Sequence, residues 1–415
     1  MNKLSSGFDL GTEPVSIEPY CSSDYFDAER ERVFRESWLL VGRVEEVSEA
    51  GCFFNRDLPI LNASALVVRG NDGTIRAFDN SCQHRGNKVT SLKGGQTTAF
   101  ACGFHGWTYD LAGSLVYVPD EENFFDFCRD RHALKPLGCD VWNGFIFIHA
   151  DPNPRQDLES FIGDGMTAQV AGFPFDGMEL AAVYDFELAS NWKFVAEAFQ
   201  EAYHVVQTHF DTVADRGTVS RWDEERARAL RGLPPVAEEA TADPAPAHKF
   251  CSMRVHSLHR SMSVFGKPSK SEDWPPALAF ALAHLPSPQA SGPNGLNPQG
   301  DENWGADLQF FYPNAELLMV HPSWYALLLF WPIATNRTRF EFRFYRQKPK
   351  NAGELLALEY IEANFRDVIR EDVASLEKAQ QMFASGAITE LYFSDQEAPA
   401  RHSYEVIDRK VRAEA

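Results

Sequence analysis

The chain has 415 residues, 44% of them hydrophobic and 24% charged, with a formal net charge of −20. That composition is globular, and at about 100–200 residues per domain it suggests two or three domains. A surface so acidic repels phosphate backbones, which disfavours nucleic acid and would attract a basic protein partner. Seven cysteines are too few for a disulfide scaffold. Met1 to Pro14 lacks the apolar core of a signal peptide, and the longest apolar run, Trp324 to Ala334, falls far short of the roughly 20 residues of a membrane helix. A cytoplasmic protein with reduced thiols and no membrane partner is expected.

In chain order, the first third reads as β. Leu39 to Val47, Cys52 to Leu58, Ala65 to Arg69 and Ile75 to Asn80 are short strand-like runs, with Asn71-Asp72-Gly73 as a hairpin turn. Asp140 to Ala150 predicts one fully buried strand, and Pro152 and Pro154 mark a boundary. Asn191 to Phe210 predicts a helix, because Phe194, Val195, Ala198, Phe199 and Ala202 follow the i, i+3, i+4 rule. Arg231 to His248 and His284 to Trp304, rich in Pro and in Pro/Gly/Ser/Asn, predict surface loops, either plain insertions or flaps over a pocket. Phe310 to Ala334 and Arg337 to Arg346 read as strands. Glu354 to Ser385 reads as a long helix closed by Gly386.

Two constellations carry chemistry. Cys82-Gln83-His84 and Cys102-Gly103-Phe104-His105 each offer one thiolate and one imidazole, 17 residues apart. Two Cys and two His can bind zinc tetrahedrally, or hold a Rieske [2Fe–2S] cluster with the Cys pair on one iron and the His pair on the other. The alternation of ligand types at the ends of β runs favours the cluster, since two facing loops can clamp a flat group. Imidazole is neutral where thiolate is anionic, so the exchange raises the reduction potential. Gly103 and Gly106 would let backbone amides approach the sulfurs, and Trp107 reads as packing. Cys21, Cys52, Cys128, Cys139 and Cys251 have no His at metal spacing and read as free, mostly buried thiols.

The second constellation is Glu201, His204 and His209. Residues five apart on an ideal helix point about 140° apart, so the two imidazoles share a metal only if the helix ends or bulges near Val205 and Val206. Glu201 and His204 lie on one face and can hydrogen-bond.

Together, these motifs resemble the Rieske non-haem iron oxygenases, the large (alpha) subunits of aromatic-ring-hydroxylating dioxygenases and related demethylases, over nearly the whole chain. The resemblance implies an α+β fold. A Rieske β domain would span residues 38–155. A helix-grip (START-like) catalytic domain with a curved antiparallel sheet would span 156–415, with 1–37 packed on it. It implies a [2Fe–2S] cluster on Cys82, His84, Cys102 and His105, and Fe(II) on His204, His209 and a late aspartate. Asp372 in Arg370-Glu371-Asp372 matches that aspartate; Glu371 and Asp367 are its competitors. Glu201 would bridge His204 to His105 of a neighbouring subunit in a head-to-tail trimer, with or without a small beta subunit. Electrons would come from an NAD(P)H-dependent reductase, with or without a ferredoxin, and O₂ would be consumed.

Two positions depart from the family pattern. Glu201 stands where Asp is common, as in some quaternary-amine oxygenases, and Ala198 stands where Asn is common. Candidate pocket walls are Phe199, Val205, Val206, Phe210, Leu317, Met319, Tyr325, Leu327 and Ile369, a mostly apolar set suited to an aromatic or alicyclic substrate, although any single one of them reads as ordinary core. Arg254, His256, His259 and Arg260 are either an anion-binding cluster or an exposed strand. The competing activities are aromatic hydroxylation, N- or O-demethylation, and electron carriage without a catalytic iron.

Overall fold

The computed structural model describes residues 8–209, 212, 251–265, 276–285, 295–298, 300 and 304–413. A two-residue strand β1 (Val15–Ser16) pairs far along the chain with Glu390–Leu391. Seven strands then form an antiparallel sheet: β2 (Leu39–Arg43), β3 (Cys52–Leu58), β4 (Ala63–Arg69), β5 (Ile75–Asp79), β6 (Gly94–Gln96), β10 (Pro136–Trp142) and β11 (Phe145–His149). Their order is β2-β11-β10-β5-β4-β3-β6. A three-stranded sheet of β7 (Phe100–Ala101), β8 (Thr108–Tyr109) and β9 (Leu115–Tyr117) caps one end, with its own core of Phe53, Phe78, Phe100, Trp107, Tyr109 and Leu115.

The second half is built on a larger antiparallel sheet. Its strands are β12 (Met178–Leu188), β13 (Cys251–His256), β14 (His259–Phe265), β15 (Trp304–Phe311), β16 (Ala315–His321), β17 (Trp324–Ala334) and β18 (Arg337–Gln347), in the order β12-β18-β17-β16-β15-β14-β13. The long helix Ala352–Ser385 lies in its grip, with Trp324 4.9 Å from Phe365 and Tyr184 donating to Glu362 at 2.9 Å. Asn351 caps that helix through Glu354 N, and Gly386, at φ 69°, ends it in the left-handed conformation. The architecture is the α+β helix-grip arrangement with a curved antiparallel sheet.

Both faces of this sheet are covered, and the strand sequences show it. β17 is an unbroken apolar run because helix lies on one side and the first sheet on the other. β18 alternates, but its charged side is buried against the first domain: Arg343 pairs with Glu46 at 2.7 Å and with Glu341 at 2.5 Å, and Arg56 approaches Glu341 at 3.5 Å. Asn314 exchanges two hydrogen bonds with the backbone of Leu40, at 3.0 and 3.1 Å.

Several elements differ from expectation. Leu39–Val47 is a strand only to Arg43; Val44–Val47 is a 3₁₀ turn. Asp140–Ala150 is not one strand but the hairpin β10–β11, turning at Asn143-Gly144 with φ of 48° and 77°. Asn-Gly is the strongest short hairpin signal, and the apolar run around it masked it. The helix read from Asn191 to Phe210 is two pieces, Trp192–Ala198 and Val205–Thr208. The helices Leu158–Gln169 and Ala398–Arg412 and the strand β12 had no expectation attached. Arg231 to His248 and most of His284 to Trp304 lie outside the described residues. Among the described residues, no helix is long and apolar enough to cross a membrane.

Candidate metal centres

The two Cys/His segments fold into matching loops. In the first, Cys82 N donates to Asn87 O at 2.9 Å and Gly86 N to Cys82 O at 2.9 Å; in the second, Cys102 N donates to Trp107 O at 2.8 Å and Gly106 N to Cys102 O at 2.9 Å. Gly86 and Gly106 occupy equivalent corners with φ of 76° and 73°, a conformation costly for any residue with a Cβ. Gly86, not Gly103, is therefore the partner of Gly106. The loops bring the imidazoles of His84 and His105 to 4.4 Å between ring centroids, with both sulfurs buried behind them.

This set fits a Rieske cluster. His84 Nδ1 is buried without a hydrogen-bond partner, as expected of a nitrogen awaiting a metal. Trp107 stacks on His84 at 4.8 Å and 10°, fixing the ring plane. Tyr109 Oη lies 3.4 Å from Cys82 Sγ and accepts from Gln83 N at 3.0 Å, and Asn87 Nδ2 donates toward Cys102 Sγ at 3.6 Å. Donors at the sulfurs favour the reduced, more negative state of such a cluster. The other five cysteines are free, and of these Cys251 is buried and Cys21 and Cys128 are exposed.

The second centre is assembled from distant segments. Asn191 caps the helix Trp192–Ala198 and is itself held by Gln380 of the long helix. That helix stops where Phe199 stacks on Phe340 at 5.4 Å and Gln200 turns inward to Arg260 at 2.7 Å. The Glu201 carboxylate then accepts from Tyr203 N and His204 N in the turn ahead of the next helix. His204 precedes that turn and His209 follows it, leaving helical geometry at ψ 33°. This is how residues five apart converge: a helical turn lies between them, but neither side chain is inside it.

Nε2 of His204 and Nε2 of His209 lie 3.2 Å apart, and Oδ1 of Asp372 lies 3.4 and 3.1 Å from them. The opposite ring nitrogens are taken. His204 Nδ1 donates to Glu201, and His209 Nδ1 donates to Glu371 at 2.7 Å, where Thr212 also donates at 2.8 Å. With each Nδ1 carrying the proton, two lone pairs face each other beside a carboxylate. That arrangement calls for a cation. Burial opposes a charge on His204, but hydrogen bonds to Asp372 and Glu201 outweigh it and push its pKa up to about 10, so without metal a proton takes the cation's place. The same imidazoles hold Asp372 below the usual carboxylate range despite its burial. Two imidazoles and one carboxylate on one side match the facial arrangement of non-haem Fe(II) sites.

Residues 37–134 match the family model for the Rieske [2Fe-2S] domain. Residues 175–413, more than half of the chain, match the model described as ring hydroxylating alpha subunit (catalytic domain). The chain belongs to the ring-hydroxylating alpha-subunit family. The cofactors of this family are a Rieske [2Fe–2S] cluster and a mononuclear iron. Among curated relatives, the carnitine monooxygenase oxygenase subunit of Escherichia coli (strain K12) is 32% identical over 190 residues, 46% of this chain and 50% of that protein. The chlorobenzene dioxygenase subunit alpha of Cupriavidus sp. (strain PS12) is 35% identical over 201 residues, 46% and 42% of the two chains. The chain thus spans about half the length of the curated relatives it matches. Two solved structures share the fold. A quaternary ammonium Rieske monooxygenase superposes with TM-score 0.74 at 18% identity, over 99% of this chain and 100% of that one. Naphthalene 1,2-dioxygenase from Rhodococcus sp. gives 0.70 at 20%, over 97% and 95%.

In this alpha subunit, other expected site residues fall elsewhere. Asp367 is about half exposed and paired with Arg366 at 3.0 Å, outside the cluster. Leu317, Met319, Tyr325 and Leu327 do not face the metal side. Register puts Leu317 opposite Leu327 and Met319 opposite Tyr325, and Tyr325 packs on Phe175 at 5.2 Å and Phe145 at 6.1 Å, on the far face of the sheet. The four-residue basic group is neither an exposed strand nor one cluster. His259 is fully buried, accepting from Tyr312 N at 3.0 Å and donating to Phe161 O at 2.8 Å, while only Arg260 reaches the metal-bearing segment. Phe210 and the side chain of Val206 lie outside what the structure describes. Sequence reasoning missed Glu371 as the anchor of His209; the signal was adjacency, since consecutive acids on a helix can serve a ligand and its support.

Proposed function

We propose that this chain is a terminal oxygenase component that uses O₂ and electrons from an NAD(P)H-dependent reductase, directly or through a ferredoxin, to oxidise a small organic molecule. The observation that carries this reading is the convergence of His204 Nε2, His209 Nε2 and Asp372 Oδ1, with the far side of each imidazole already bound by an acid. These three residues are the proposed Fe(II) ligands, and Cys82, His84, Cys102 and His105 the proposed cluster ligands. Bound there, the iron would supply the O₂ chemistry and the cluster an electron.

The chain's own groups do the positioning. Glu371 and Glu201 fix the tautomer and plane of His209 and His204. The proposed domains are a Rieske unit at 38–155 and a catalytic unit at 156–415, with 1–37 packed on the latter. Tyr20 donating to Glu197 at 2.8 Å and Lys193 paired with Glu29 at 2.6 Å support that last placement. We assign Glu201 as the link to His105 of a neighbouring subunit in a head-to-tail trimer. Partial exposure of Glu201 and His105 supports it, because a link between subunits needs both side chains at the surface. The family's ring hydroxylases favour an aromatic or other hydrophobic substrate. N-demethylation or oxidation of a quaternary amine is the second reading, favoured by Glu201 and by the carnitine monooxygenase relatives.

The test is a substrate screen with a reductase, NADH and O₂, followed by mass spectrometry. Gains of one or two oxygens, or loss of a methyl, are expected. Iron-replete protein that consumes NADH but never transfers oxygen to, or removes a methyl from, any arene or amine would contradict the reading.

A further inference from the structure

Directly opposed residues on neighbouring strands point to the same face of a sheet. Following the register, Tyr184 opposes Phe342, Phe342 opposes Leu328, Leu328 opposes Glu316, Glu316 opposes Phe310 and Phe310 opposes Arg260. The row crosses six strands. One end, Tyr184, donates to Glu362 of the long helix at 2.9 Å; the other, Arg260, donates to Gln200 of the metal-bearing segment at 2.7 Å. The row therefore faces the layer that holds the mononuclear centre.

Glu316 sits in the middle of this row with no exposed surface, and among the described residues neither carboxylate oxygen has a hydrogen-bond partner. Arg260 does not supply one. Its Nε and Nη2 go to Gln200 Oε1, its Nη1 to His402 at 3.4 Å, and its guanidinium lies 4.0 Å over Phe310. Gln200 Nε2 is also buried without a partner. Native interiors satisfy nearly all such atoms, and the described residues leave this wall incomplete. An unpaired buried carboxylate is strongly disfavoured and is relieved only by a proton or a cationic partner; a neutral hydrocarbon beside it relieves nothing.

We propose that Glu316 is the specificity-determining group of a subsite for a substrate carrying a positively charged nitrogen, with Gln200 completing its polar wall. This rests on the oxygenase reading and narrows it from aromatic hydrocarbons to ammonium compounds. Burial drives the Glu316 carboxyl well above its ordinary range and Arg260 only partly offsets this, so in the protein alone the group is held as the neutral acid and a cation beside it would restore the anion.

Two isosteric pairs test the proposal on the iron-loaded protein by calorimetry: choline against 3,3-dimethylbutan-1-ol, and benzylamine against toluene. In at least one pair the cation is expected to bind about tenfold or more tightly than its neutral isostere. Glu316→Gln is expected to erase that preference with neutral binding and melting temperature retained, and Glu316→Asp to keep part of it. No preference in either pair, including no binding at all, overturns the proposal, as does a preference that survives Glu316→Gln. Iron content and cluster absorbance of the same samples separate the two failures. Missing mononuclear iron contradicts the oxygenase reading, whereas full iron without cation preference contradicts only the subsite.

Discussion

The two proposed metal centres of this chain are built in opposite ways. The cluster site is two short loops of nearly the same design, each a Cys and a His turned back by a left-handed glycine, so almost all of its geometry is local. The mononuclear site joins a broken helix to a carboxylate far along the chain; His209 and the Glu371 that orients it are 162 residues apart in sequence. A local site depends on its own turns, whereas an assembled one depends on the sheet and long helix that hold its parts in register. The two should therefore fail separately.

The largest effects break one centre and spare the other. His204→Ala is expected to lose the mononuclear iron and all turnover while the cluster keeps its visible colour. Cys102→Ser is expected to bleach the cluster with His204, His209 and Asp372 undisturbed. If His204→Ala also bleaches the protein, as read by absorbance and metal analysis, the division of ligands is wrong. Glu201→Ala comes next: both centres filled, turnover down about a hundredfold or more, since the link from His204 is cut. Normal product formation by that variant would sink the bridging role.

Glu371→Gln sharpens the contrast further. It leaves His209 in place but weakens its support, so iron affinity is expected to fall about 10–100-fold with cluster content unchanged. The same centre carries a pH signature. The folded protein raises the His204 pKa to about 10, because hydrogen bonds to Asp372 and Glu201 outweigh burial. In the iron-free protein the stabilisation from charged His204 is thus complete below about pH 6.5, the unfolded value, and is lost as pH rises through about 10. Iron competes with that proton, so iron affinity should rise with pH across the same window. A pH-independent dissociation constant would contradict this. The smallest effect concerns the cluster loops. Gly106→Ala should lower stability by about 1–2 kcal/mol from backbone strain, and slightly more than Gly86→Ala, because an added Cβ meets Pro119 at 3.3 Å in one loop and nothing in the other. Thermal melts of the two variants decide it.

What could be read from sequence follows the same division. The proposed cluster ligands and the strands around them stand out in the sequence because ligand spacing, glycine corners and the alternation of short strands are local signals. Legibility ended where tertiary context decided. The helix through Glu201 was read as continuous because Phe199 and Ala202 fit its period, yet Gln200 and Glu201 bond elsewhere and break it. Leu317 and Tyr325 were assigned to the pocket on apolarity alone; with both faces of the sheet buried, composition could not say which side each residue occupies. Asp372 was legible as a member of an acidic pair, but Glu371 as its working neighbour was not. Glu316 is not legible in the sequence at all, since one acid in an apolar strand shows its isolation only in three dimensions.

The central claim is that one chain holds two separate iron centres. Metal analysis of the purified protein, paired with the same measurement on His204→Ala, tests it most directly. The account predicts about three irons per wild-type chain, two of them in the cluster, and about two in the variant with the cluster absorbance intact. Two irons in both proteins, or zinc in a colourless one, would contradict it.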